Sequence, residues 1–313
     1  MATVWPAWQR AGLIQRKRRR AVGRDDGRVT TPGPAMTELR SILVHLDASP
    51  RSLRRLQLAR ELAAALEARV ATVYATTPSV LSVPYLMAEG AAEMLPLLQQ
   101  LDRDYRDDAR GRFDRVVADA PDAVAWHELR GGPVTAGVAR LALCHDLLVL
   151  GQHDASDPLT IGVPEDFVES VLLASGKAAL VVPHVDSVGT CGRRVLIAWK
   201  PTREAARAVA AAVPLLRRAQ RIDLAVADEP GGGDDVEALI GLLRLHGVQA
   251  AVERHAIPAS AEAGEQLLSL AADRDADLLV MGCYGHTRAR EFVLGGASRT
   301  LLRSMTLPVL MAH

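Results

Sequence analysis

The stretch Asp277-Leu-Leu-Val-Met281-Gly282-Cys283-Tyr284-Gly285-His286 decides the fold, together with Gly295-Gly296-Ala297-Ser298, which follows the nine residues His286 to Leu294. The apolar run Asp277–Met281 reads as a buried strand, and Ser298–Ser304 carries a helical pattern. Glycines where a strand ends and a helix begins suit an anion. The backbone can approach a phosphate closely there, and free N–H groups and the helix dipole favour negative charge. The same four glycines also suit a tight turn and a helix start with no ligand. On the glycines alone, both readings stand.

Working outward, the strand–turn–helix pattern is written twice. Ser41–Asp47 is a short apolar strand followed by a helical pattern from Arg54 to Leu66; Arg194–Trp199 is followed by one from Ala205 to Leu216. Val70–Ala75 parallels Ile222–Ala227, and Ala123–Leu129 parallels Gln249–His255. Asp146-Leu-Leu-Val-Leu-Gly151 matches Asp277-Leu-Leu-Val-Met-Gly282, and Ala178–Pro183 matches Leu307–Met311. Strands alternating with helices imply right-handed crossovers and a mainly parallel sheet covered on both faces. At 313 residues, two domains are the natural division.

The spacing of Gly282, Gly285 and Gly295, in that context and doubled, resembles the nucleotide-binding signature of the universal stress protein family. The resemblance covers Met36 to His313. The family signature continues with Ser or Thr where this chain has Gly296. The resemblance implies an α/β fold of two tandem Rossmann-like, adenine nucleotide alpha hydrolase-like domains, each a five-stranded parallel sheet flanked by helices. These span 36–185 and 194–313, with 186–193 as linker. Such domains pair through the last strand, so Leu180–Val182 and Val309–Ala312 are expected to pair within the chain, with a homodimer left open.

In the ATP-binding branch of that family, an Asp ending the first strand holds the adenine–ribose side and the glycine motif holds the phosphates. This chain divides the two. The first domain keeps Asp47, but Asp154 stands at its second glycine and Phe167 and Val168 at the later pair, so no nucleotide is expected there. The second domain keeps the glycines but has Lys200 at the Asp position. The resemblance places nucleotide contacts at Met281, Gly282, Gly285, Gly295, Gly296, Ala297 and Ser298, with Lys200, His286 and Asp47 as further candidates. Lys200 reads either as a cation that swings to a phosphate or as a solvated loop lysine. Trp199 reads as a base-stacking residue or as helix–sheet packing, and Cys283 as a low-pKa thiol or a small packed turn residue.

Composition sets further limits. An apolar fraction of 49% and mean hydropathy of +0.08 describe a folded chain, and no run approaches the roughly 18 apolar residues of a membrane span. Cys144, Cys191 and Cys283 lack metal-type spacing, and a reducing cytoplasm is the expected compartment. The zero net charge conceals residues 1–35 at +6 and the remainder at −6. The basic leader reads as a disordered extension, and the acidic body argues against nucleic acid as a partner. There is no P-loop, H-E-x-x-H, C-x-x-C or G-x-S-x-G. The expected function is therefore stress-linked regulation or protection by nucleotide and protein contacts, with slow ATP hydrolysis at most and no metal beyond nucleotide-bound Mg2+. A scaffold that binds no nucleotide and acts through protein partners is the alternative; an enzyme on the same superfold is a third class.

Overall fold

The computed structural model describes residues 38–82, 91–120, 124–129, 131–185, 189–227, 233–257, 262–283 and 296–313. The basic leader, Gly285, His286 and Gly295 lie outside these residues.

In the N-terminal half the strands are β1 (Ser41–Leu46), β2 (Arg69–Tyr74), β3 (Val124–Glu128), β4 (Leu147–Gly151) and β5 (Ala179–Val182). The main helices between them are α1 (Ser52–Leu66), α2 (Ser79–Ser82), α3 (Ala91–Val116), α4 (Val134–Ala142) and α5 (Phe167–Ser175). The C-terminal half repeats the order with β6 (Arg194–Trp199), α6 (Arg203–Leu216), β7 (Arg221–Ala227), α7 (Gly233–Leu245), β8 (Ala251–Ile257), α8 (Ala263–Asp273), β9 (Leu278–Gly282), α9 (Gly296–Ser304) and β10 (Val309–Ala312). Every strand expected from the sequence is present.

The ten strands form one sheet in the order β3-β2-β1-β4-β5-β10-β9-β6-β7-β8. Neighbours within each half are parallel. The halves join through one antiparallel pairing, Val309 with Val181, Leu310 with Leu180 and Met311 with Ala179. This is the intrachain pairing that the family resemblance implies.

Alternation along each strand feeds two cores. Ile42, Val44 and Leu46 share one face with Leu56 and Leu62 of α1 and Val209 and Leu216 of α6. Leu43, Leu148 and Leu279 share the other with Val138 of α4, Val171 of α5, Leu267 of α8 and Leu301 of α9. Strands covered on both faces must be apolar throughout, which is why β4, β5, β9 and β10 read as unbroken apolar runs.

Local chemistry sets the helix ends. Thr202 caps α6 by accepting the Ala205 N–H. Gly176, with φ +62°, closes α5 in the left-handed conformation that only a residue without a Cβ adopts freely. Helix α3, the longest, is strongly polar, and among the described residues no helix is long and apolar enough to cross a membrane.

The seam gives a direct stability prediction. Leu310 is fully buried, and Leu310→Ala should lower unfolding free energy by roughly 2–5 kcal/mol. Leu245→Ala, on a residue that is 87% exposed, should change it by about 0.5 kcal/mol or less. Urea denaturation of both variants checks the difference.

Candidate functional site

Each half has a crevice where its strands end, at the point where sheet order reverses between β1 and β4 or between β6 and β9. Because β5 and β10 are antiparallel, the two crevices open at opposite edges of the sheet. Asp47 and Gly282 are further separated by four strand steps, roughly 19 Å at about 4.8 Å each. Asp47 therefore belongs to the first crevice and cannot complete the second.

The first crevice is filled by its own side chains. Asp47 ends β1 with its carboxylate buried. One oxygen accepts from Arg55 Nη2 at 2.6 Å, and the other from the Ser49 N–H at 2.9 Å. Arg55 lies only 4% exposed and also donates to the His45 carbonyl. Burial, the largest single influence, opposes ionisation of Asp47, but the Arg55 charge, His45 and the hydrogen bonds from Ser49 and Arg55 together outweigh it and the pKa falls below the usual carboxylate value. Burial, aided by Arg55, pushes His45 down to about 4. The imidazole is thus neutral, with Nε2–H donating to the Ala75 carbonyl at 2.8 Å and the Phe167 ring 4.5 Å away.

Gly151 has acquired a different task here. A Cβ on it would lie 2.9 Å from Arg55 Cζ, so the glycine makes room for a guanidinium laid across the strand end. Asp154 folds the following loop by accepting from the N–H and hydroxyl of Ser156 and from Arg51, which also reaches Asp157. The Ser156 hydroxyl is the main cause that holds the Asp154 pKa down at about 2. Helix α5 starts at Phe167 as α9 starts at Gly296, one position on from the strand-based count that set Phe167 against Gly295. The cavity left among His45, Asp47, Gly151, Gln152 and Phe167 measures about 10 Å3, room for one water at most.

The second crevice is built differently. Gly282 ends β9 against the first turn of α6, where a Cβ would lie 2.6 Å from the Glu204 carbonyl carbon and 2.9 Å from the Ala205 Cα. Close helix–strand packing therefore requires this glycine with or without a ligand. Met281 is buried, in register with Ala198 and Met311. Lys200 is exposed just beyond β6, and its carbonyl accepts the Thr202 N–H as the chain turns into α6. Eight residues after Asp47 stands Arg55, whereas eight after Lys200 stands the buried methyl of Ala208.

On the far side, α9 begins with Gly296, Ala297 and Ser298, with Ser298 buried and Ala297 half-buried. The structure thus places Met281 and Gly282 at the strand end and Gly296, Ala297 and Ser298 at the helix start; Gly285, Gly295 and His286 lie outside the described residues.

Burial decides the reading of Cys283, and Trp199 is half-buried against the core. Cys283 is 1% exposed with Sγ 3.4 Å from the Ala312 carbonyl, and burial pushes its thiol up to about 12, the opposite of an activated thiol. Trp199 packs beside the core under α6, and its buried Nε1 has no hydrogen-bond partner among the described residues.

One polar cluster was not read from the sequence. Asp223, fully buried on β7, accepts from His255 Nε2 and Arg274 Nε at 2.8 Å and from Arg221 Nε at 2.9 Å, while Arg274 also pairs with Glu253. Asp223, Glu253 and His255 lie close enough to share a cation. Two guanidiniums already take the Asp223 lone pairs, so the cluster ties β7, β8 and the end of α8 together electrostatically. Its only sequence signal was an acid in the middle of an apolar strand.

The buried Asp47–Arg55 pair yields a pH prediction. A folded carboxylate pKa below the unfolded value contributes stability above about pH 4 and loses it as pH falls through the folded value. Arg55→Met should cost roughly 3–5 kcal/mol at pH 7 by leaving Asp47 buried and unpaired. It should also move the acid-unfolding midpoint to higher pH. Circular dichroism from pH 7 to pH 2 reads both effects.

Comparison with known proteins places these features. Residues 192–313 match the model of the universal stress protein family. A universal stress protein from Archaeoglobus fulgidus DSM 4304 superposes with a TM-score of 0.64 at 14% identity, over 88% of this chain and 97% of that one. A putative universal stress protein from Pseudomonas aeruginosa UCBPP-PA14 does so with a TM-score of 0.54 at 16% identity, over 88% and 94%. At these identities the likeness is one of fold. No curated protein sequence matches the chain.

Proposed function

We propose, from the match of residues 192–313 to the universal stress protein family model, that this protein is a cytoplasmic regulatory binding protein rather than a catalyst of turnover. Its C-terminal half takes an adenine nucleotide, ATP with its Mg2+ ion. Its N-terminal half is a self-filled partner that takes none. The observation that carries this reading is the difference between the crevices. In the first, Arg55 lies against Gly151 and the cavity lined by Asp47 and Phe167 is about 10 Å3, while the second has a methyl at the Arg55 position and a helix opening on Gly296-Ala297-Ser298.

The donor set suits a polyphosphate. The first N–H groups of α9 have no partner within their own helix and carry the positive end of its dipole. Lys200, exposed at the end of β6, would supply a cation on the same edge of the sheet. With Lys200 in place of an Asp, the adenine–ribose side would be held by weaker contacts than the phosphates, so affinity should fall from ATP to ADP to AMP. Differential contact of the nucleotide with two states of the protein would then change what a protein partner meets.

A second reading rests on Gly282, whose packing against Ala205 explains its lack of a side chain with no ligand at all. Under that reading the chain is a paired scaffold. Titration calorimetry with ATP on the wild type and on Gly285→Asp, each checked for an unchanged melting temperature, separates the two. We expect wild-type binding, weakened at least roughly tenfold when a carboxylate enters the glycine motif. Purified protein that releases no adenine nucleotide on denaturation and gives no heat with millimolar ATP selects the scaffold.

A further inference from the structure

Helix α9 is held at its far end by the other half of the chain. Gln152, the residue after Gly151 at the end of β4, is 6% exposed, and its Nε2 donates to the Leu302 and Arg303 carbonyls at 3.0 and 3.1 Å. Its Oε1 accepts the His184 N–H at 3.0 Å, just beyond β5. Both ends of the amide are used, which fixes its orientation. The last carbonyls of a helix have no intrahelical donor, so Gln152 supplies across the seam what local sequence does not. Arg303 adds a surface pair with Glu165, which lines the first crevice.

The antiparallel seam makes this reach possible. Helix α9 leaves the edge where β9 ends and returns to the start of β10, which lies where β4 and β5 end. Its nine residues, roughly 14 Å long, therefore run from the second crevice to the first. Among the described residues the tie is one-sided. Cys283 holds the place after Gly282 that Gln152 holds after Gly151, and its thiol is turned to the Ala312 carbonyl. Helix α5 closes instead on its own Gly176, whose N–H donates to the Leu172 carbonyl.

We infer that Gln152 is a positioning residue for the nucleotide site of the C-terminal half, holding α9 from its carbonyl end so that ligand at its N-terminus is coupled to the N-terminal half at His184. The inference rests on the nucleotide reading above. Coupling of this kind is reciprocal: if Gln152 favours the ligand-competent seating of α9, ligand must in turn strengthen the bonds that Gln152 makes. Glu165→Gln, at the exposed end of the contact, should have little effect.

The test uses the full chain, Mg2+-ATP as probe, and Gln152→Met, which keeps length and apolar bulk but removes the donors. In the wild type, ATP should slow hydrogen exchange at the His184 amide, in the half that takes no nucleotide. In Gln152→Met, ATP affinity should fall roughly three- to tenfold, the worth of one or two net hydrogen bonds, and the ATP-dependent slowing at His184 should vanish. A purely structural role would lower the melting temperature and leave ATP affinity unchanged. Wild type that binds ATP with no change at His184 overturns the inference and leaves the nucleotide reading standing, whether or not the variant folds. Wild type that binds no ATP overturns both.

Discussion

Three residue pairs, Val309 with Val181, Leu310 with Leu180 and Met311 with Ala179, set the position of everything else. All six side chains are completely buried. Either edge left alone would expose an apolar strand with a row of unpaired N–H and C=O groups, a template for uncontrolled pairing. Joining the two within one chain removes both edges, leaving β3 and β8 as the outer strands. Polar cover falls there, with Glu253, Arg254 and His255 on β8 and His127 and Glu128 on β3. The direction of the pairing matters as much as its existence. Because the seam is the only antiparallel step among the described strands, the carboxyl ends of the two parallel halves point to opposite edges, and no ligand can be shared between the crevices.

The halves have kept one backbone and exchanged the chemistry laid on it. Asp47, Arg51 and Arg55 of the first correspond by position to Lys200, Glu204 and Ala208 of the second. In the first, the acid and its guanidinium satisfy each other in a buried pair, and the glycine of the next strand yields its space to that guanidinium. In the second the glycine yields its space to helix backbone. The same residue type at the same strand end thus has two different physical causes. A buried ion pair is weak evidence of extra stability, since desolvating both charges consumes most of the Coulombic gain. What the Asp47–Arg55 pair provides is volume at the position a ligand would need.

The fold was legible because its signal is periodic and repeated. Runs such as Leu147–Gly151 and Leu278–Gly282 have to be apolar to lie between two helix layers, and their recurrence marks out both halves, while the seam was implied by the family resemblance. The filling of the first crevice was legible only in part. The substitutions Asp154, Phe167 and Val168 could be read as hostile to phosphate, but nothing in the sequence singles out Arg55, the buried guanidinium laid against Gly151. Its burial depends on the separation between α1 and β4, which no spacing rule supplies. The same holds for Asp223, whose partners His255 and Arg274 come from 32 and 51 residues away. Cys283 reads as a candidate thiol beside N–H groups until its burial is known, and burial reverses the direction of its pKa.

Gln152 is the clearest case of a residue whose meaning lies wholly in three dimensions. In sequence it is a polar residue after a strand glycine. In the structure it is the point where one half meets the carbonyl end of a helix 150 residues away. Helix α9 has under three turns, too short to flex appreciably, so a shift at one end must reach the other as motion of the whole body. The first half makes this contact from the crevice it has filled, and among the described residues Cys283, at the matching position of the second half, makes no such contact in return. A crevice reduced to about 10 Å3 has no ligand state to transmit. A one-way tie is therefore what the loss of the first site leaves useful, and the closed crevice and the polar reach of Gln152 are two parts of one specialisation of the N-terminal half.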